Sequence, residues 1–170
     1  MMKLFNIIQN KIDSLINFFG ILSSFLIPIL ILIISISVVM RYFFSLGFTW
    51  LQDLYIWTHS SIILLGIAYT LKFDSHVRID LLYRNASKNY KKVINLMGSL
   101  LFSIPFCLLL IAKGYPFFER SFLLNESSKE TGGLPAIYIV KFLILVLGIS
   151  LFIQVINGIL KILLKKNGNN

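Results

Sequence analysis

The chain has 170 residues, 57% of them apolar and only 14% charged, with a mean hydropathy of +0.84. Globular domains carry roughly 25% charged residues, so the composition excludes a soluble domain and indicates an integral membrane protein. The net charge of +9 does not mark a nucleic-acid binder, because the basic residues flank apolar blocks, where membrane topology signals belong.

The first nineteen residues carry Leu4, Phe5, Ile8, Ile12, Leu15, Ile16 and Phe19 at three- and four-residue spacing, with Asn6, Gln9, Asn10, Lys11, Asp13, Ser14 and Asn17 on the other faces. This periodicity predicts an amphipathic helix over residues 1–19 lying in the membrane interface. The alternative is a helix that runs straight on into the first span. That span, Gly20 to Met40, contains Pro28 and is longer than a signal-peptide core. Val38, Val39, Met40 and Arg41 follow instead of a small-residue cleavage site, so the segment is expected to be retained.

The second span is expected over residues 54–71, with Trp50 and Trp57 at one interface and Lys72 at the other. The third covers about 93–112 with Pro105 as a kink, and the fourth about 137–160 with Lys141 free to snorkel. Between them, Tyr115 to Pro135 reads as a turn-rich loop punctuated by Gly132, Gly133 and Pro135. The expected fold is therefore an all-α integral membrane protein. Its single membrane domain, residues 1–170, has four transmembrane helices preceded by an N-terminal amphipathic interfacial helix.

Basic residues set the expected orientation. Lys72, Arg78, Arg84, Lys88, Lys91 and Lys92 lie between spans two and three, Lys3 and Lys11 near the N-terminus, and Lys161, Lys165 and Lys166 near the C-terminus. The opposite side carries Arg41, Arg120 and Lys129 beside Glu119, Glu126 and Glu130. Both termini and the second connection are expected in the cytoplasm.

Chemistry-bearing residues are few. His59 and His76 fall at opposite ends of one span, which argues against a bis-histidine haem within the chain. Asp74, His76 and Asp80 offer three ligands, but Lys72, Arg78 and Arg84 stand beside them, so ion pairs and a helix cap at a membrane boundary compete with a metal site. Cys107 sits inside an apolar block and reads as a small apolar side chain. Asp53, between Trp50 and Trp57, is costly if it faces lipid, so it either contacts protein or lies exposed at the interface. Small residues at Gly66, Ala68, Gly98, Ser99, Gly148 and Ser150 permit close helix contact. The spans hold no chain of acids and no paired broken helices of the kind that ion-coupled carriers use. Phosphate loops, nucleophile elbows and two-histidine zinc helices are absent. Neither an enzyme nor a resident cofactor or metal is expected.

The stretch "FTWLQDLYIW", leading into "LLGIAYTLKFDSHVRIDLL", and the later "GGLPAIYIVKFLILVLGISLF" carry a resemblance. In order and spacing they resemble the small, Q-type membrane subunit of tripartite ATP-independent periplasmic (TRAP) transporters, over about residues 20–161. The resemblance implies a scaffold for a large sodium-coupled permease subunit, with a periplasmic substrate-binding protein as the third component, in the bacterial inner membrane. Carried over residue by residue, Asp53 takes the family's acidic position, Trp50 and Trp57 its flanking aromatics, Gly66 its small helix residue, and His76 with Asp80 its His-x-x-x-Asp ending. Gln52 and Ile56 depart from that pattern, where a second acid and a basic residue are common. Trp50, Asp53, Trp57, Gly66, His76 and Asp80 are thus the candidate partner-contact or structural residues. Two rival roles are a membrane anchor of a redox complex and a freestanding small channel or carrier.

Overall fold

The computed structural model describes residues 2–73 and 87–164, and among these every regular element is helical. They are α1 (Met2–Phe43), α2 (Thr49–Lys72), α3 (Lys88–Gly98), a π-helical turn (Ser99–Ser103), α4 (Ile104–Leu123) and α5 (Tyr138–Leu164). Four helical stretches are long and apolar enough to cross a membrane: Ile7–Phe43, Thr49–Lys72, Asn89–Leu123 and Tyr138–Leu163. The chain is a multi-pass membrane protein.

The N-terminal expectation needs correcting. A separate interfacial helix over residues 1–19 is not what the structure shows; α1 is one uninterrupted helix of 42 residues. Gly20, the residue best suited to a break, instead lies against the Tyr69 ring of α2, where a side chain would collide with it. Pro28 removes one helical donor without ending the helix. Ser24, one turn before it, donates its hydroxyl to the Gly20 carbonyl at 2.9 Å.

The other boundaries also move. Helix α2 starts at Thr49 rather than residue 54, and α4 continues to Leu123, so the expected loop from Tyr115 is helical over its first half. Ring packing supports that extension: Phe118 stands 5.1 Å from Phe142 and Phe122 5.3 Å edge-on from Tyr138, both across to α5. Pro105 sits at the start of α4, directly after the π turn. A proline there lacks an N–H for the preceding turn, and a wider turn accommodates the lost bond. Ser87 caps α3, its hydroxyl accepting from Tyr90 N at 3.3 Å.

The helices pack in the order α1, α2, α5, α4, with α5 the most enclosed and α1 only lightly touching α5. Closeness comes from small residues, which substitute for hydrophobic driving force between helices in lipid. Ser23 of α1 donates to the Ile62 carbonyl of α2 at 2.8 Å, and Gly66 lies directly opposite that serine. Across the other seam, Gly114 of α4 faces the Leu145 backbone and Gly148 of α5 faces Leu110 and Ile111. The core joins all four spans: Ile16, Ala68 and Cys107 pack around Leu147, Leu151 and Val155 of α5.

A Cβ at Gly148 would stand 3.1 Å from Leu110 and Ile111 side-chain atoms and 3.2 Å from the Ile111 backbone nitrogen, whereas nothing lies within 4 Å at Gly158. Gly148→Leu is therefore expected to lose about 1–3 kcal/mol and lower the melting temperature in detergent. Gly158→Leu, on the same helix, is expected to leave it nearly unchanged.

Candidate functional site

Two polar clamps hold the ends of α2. At the end away from the chain termini, Asp53 sits one turn into the helix and is 8% exposed. Its Oδ2 accepts the Leu134 backbone N–H at 2.8 Å. Because Leu134 lies in the connection between α4 and α5, this bond fastens that connection onto α2. The carboxylate is satisfied within the chain by an amide that would otherwise be orphaned, as burial next to hydrocarbon requires.

The connection is shaped to reach Asp53. Ser128 N donates to the Leu134 carbonyl at 2.9 Å and Gly133 N to the Glu130 carbonyl at 3.0 Å, closing a tight turn. Gly132 adopts φ +77°, a left-handed conformation that favours glycine. Gly133 lies so close to the Asp53 carboxylate and the Ser128 side chain that a Cβ there would displace them. The Gly-Gly-Leu sequence is thus matched to its acceptor.

A second link ties the same connection to α4 and α5. Glu126 Oε2 accepts from the Lys141 ammonium and from the Ser121 hydroxyl, the latter at 2.6 Å. Ile137 N donates to the Glu126 carbonyl at 3.0 Å. Lys141 also stands 4.3 Å over the Phe117 ring, so it is paired as well as snorkelling. The hydrogen bonds from Lys141 and then Ser121 hold the Glu126 carboxyl below its ordinary value of 4.5.

At the termini end, Asp13 of α1 collects groups from two other helices. Lys161 Nζ of α5 donates to both its oxygens, at 3.3 and 3.4 Å, and Asn157 Nδ2 donates to Oδ1 at 3.3 Å. Lys72 of α2 lies 3.9 Å from Asp13 Oδ1 and donates to the Asp13 carbonyl at 3.2 Å and to Asn17 Oδ1 at 2.7 Å. Asn157 is fully buried, and its Oδ1 has no partner among the described residues. This hub was not visible in residue spacing, which placed Asp13 on the polar face of an interfacial helix. Asn157 was the available signal, since a polar side chain within an apolar span is expensive unless it faces protein.

The remaining sequence candidates divide. Trp50 is exposed and stands 5.9 Å from Phe48, while Trp57 is half-buried. Gly66 faces α1 within this chain. Among the other small residues, Ala68 and Ser150 are buried and Gly148 faces α4, but Gly98 has nothing within 4 Å. His76 and Asp80, with Asp74, lie outside the described residues. Among the described residues no cluster of histidine, cysteine and carboxylate groups could hold a metal ion. A cleft of about 500 Å³ opens between the far ends of α1 and α2, lined by Ser37, Arg41, Ser45, Thr49, Gln52 and Tyr55 among others.

Asp53→Ala and Gly133→Ala are each expected to free the α4–α5 connection. The measurement is proteolysis or hydrogen exchange at residues 126–137, with protection falling in both variants while membrane insertion is unchanged. Asp13→Ala leaves Lys161 and Asn157 without their shared acceptor and Lys72 without its ion-pair partner, and is expected to cost on the order of 1–3 kcal/mol, read as a lower melting temperature in detergent. For Glu126 the depressed pKa means that its link is fully present above pH 4.5 and is lost as pH falls through the lower folded-state value. Protection of the connection is expected to drop over that acid range, and Glu126→Gln is expected to remove the pH dependence.

Residues 30–164 match the DctQ component of tripartite ATP-independent periplasmic transporters. No curated protein matches the chain. The matched stretch takes in the last third of α1, all of α2 to α5 and the Asp53-bound connection between α4 and α5. The chain belongs to the DctQ family, the small-subunit component of tripartite ATP-independent periplasmic transporters.

Proposed function

We propose that this chain is the small membrane subunit that scaffolds the large sodium-coupled permease subunit of a TRAP transporter. In this reading it takes up solute together with a periplasmic substrate-binding protein and carries no substrate site of its own. The family match over residues 30–164 carries the proposal. The packing supports it: the spans lie side by side, and wide faces of α1 and α4 are left exposed.

The proposal places the protein in the bacterial inner membrane with both termini cytoplasmic. Basic residues favour that side: Lys72 and Lys161 meet at the Asp13 hub, and Lys165 and Lys166 follow in sequence. The connection held by Asp53 then faces the periplasm, where the binding protein docks. Its rigidity suits a docking rim.

Affinity purification of the tagged chain from mild detergent is expected to recover a large multi-span subunit, and solute uptake is expected to need both genes. Uptake that survives deletion of this chain, together with purification of the chain alone, would refute the scaffold role. A green fluorescent reporter fused after Asn170 is expected to fluoresce, and an alkaline phosphatase reporter at the same place to be inactive; the reverse pattern would invert the orientation.

A further inference from the structure

The exposed side chains of α2 do not scatter. Gln52, Ile56, His59 and Ile63 are exposed at spacings of four, three and four residues, which places them on one stripe. Most polar groups on the lipid-depth part of α2 satisfy themselves. Thr58, Ser60, Ser61 and Thr70 donate their hydroxyls to carbonyls of the preceding turn. His59 and Gln52 have no such outlet, and neither side chain has a hydrogen-bond partner among the described residues.

His59 lies about 9 Å along the helix beyond Asp53, toward the membrane interior. An imidazole at that depth cannot reach headgroups as a lysine can, and lipid chains offer it nothing to bond. The exposed faces elsewhere lack this problem. On α1 the exposed polar residues Ser24 and Ser35 bond their own helix, and on α4 the deepest exposed polar residue, Lys113, has a stem long enough to snorkel.

The head of the stripe opens into the cleft between α1 and α2, with Gln52 belonging to both. Arg41 lines that cleft, and no carboxylate lies within ion-pair distance of it among the described residues. One continuous surface therefore carries a cation at the interface, an amide below it and an imidazole deeper still, all unanswered.

We propose that the α2 stripe Gln52–Ile56–His59–Ile63, with the Arg41 cleft at its head, is the seat of another membrane-spanning chain. That chain presents hydrogen-bond acceptors opposite these groups, a carboxylate at Arg41 and a carboxylate or free carbonyl at His59. Charge complementarity selects the occupant: the surface offers donors and positive charge in a setting where only protein supplies acceptors at depth. The inference rests on the scaffold reading, for which the occupant is the large permease subunit.

The test uses the full chain co-expressed with the large subunit and a photo-reactive phenylalanine analogue at Ile56 or Ile63, with Ile31 on α1 and Leu109 on α4 as exposed controls. Cross-links to the large subunit, identified by mass spectrometry, are expected to be at least tenfold more abundant from the α2 positions. His59→Leu is expected to reduce recovered complex several-fold, and His59→Gln, which keeps a donor, to retain most of it. If the complex is recovered but its cross-links come mainly from Ile31 or Leu109, the seat is wrong while the scaffold role stands. Adducts of twice this chain's mass, or lipid adducts alone from α2, overturn the proposed occupant. Failure of the wild-type chain to recover any large subunit overturns the scaffold reading and this inference with it.

Discussion

A helix surrounded by hydrocarbon has no solvent to complete its polar groups, and that constraint organises this protein around the two ends of α2. Asp53 at one end and Lys72 at the other are about 28 Å apart along the helix, close to the thickness of a hydrocarbon core. Each is answered from within the chain, by the Leu134 amide and by the Asp13–Asn17 cluster respectively. The spans between these levels touch through glycine, serine and alanine and aliphatic residues. Polar bonding therefore fixes register, and small-residue packing fixes distance.

The two clamps draw on distant parts of the sequence. Asp53 lies in the second helix and Leu134 in the connection between the fourth and fifth, and Asp13 meets Lys161 only because the last helix returns to the side where the first began. Four helices laid side by side have few seams, so these remote bonds carry more of the specificity than they would in a closed bundle. Helix α5 bridges the seams: it touches α2 on one flank and α4 on the other, and supplies more of the buried residues than any other helix.

Much of the fold was legible because hydrophobic length is an almost sufficient signal in a membrane protein. All four spans, the kink-prone Pro105 region and the polar setting of Asp53 followed from runs of apolar residues and their flanks. The continuous α1 was not legible as such. Amphipathic spacing over residues 1–19 is compatible with an interfacial helix or a helical extension, and the choice depends on Gly20 meeting Tyr69. The extension of α4 past Tyr115 was hidden for a similar reason: charged and proline residues suggested a loop, while Phe118 and Phe122 find aromatic partners on α5. The candidate site was half legible. Asp53 stood out by its cost, but its partner is a backbone amide, and no side-chain pattern announces a backbone donor 81 residues away.

The π-helical turn at Ser99–Ser103 has a consequence for the seam below it. A wide turn absorbs one more residue than an α-helix needs for the same advance, so it sets the rotational phase of everything that follows. Deleting one residue there would let the turn tighten into ordinary α-helix with the phase preserved, whereas if it tightened with all its residues kept, the surplus residue would rotate α4 by about 100°. Gly114 would swing away from the Leu145 backbone, and the groove that now receives Leu110 and Ile111 beside Gly148 would meet a different face. The third span thus behaves like a shaft with a single tooth taken up in its gear: the width of that one turn decides which stripe of α4 meshes with the last helix and which looks outward.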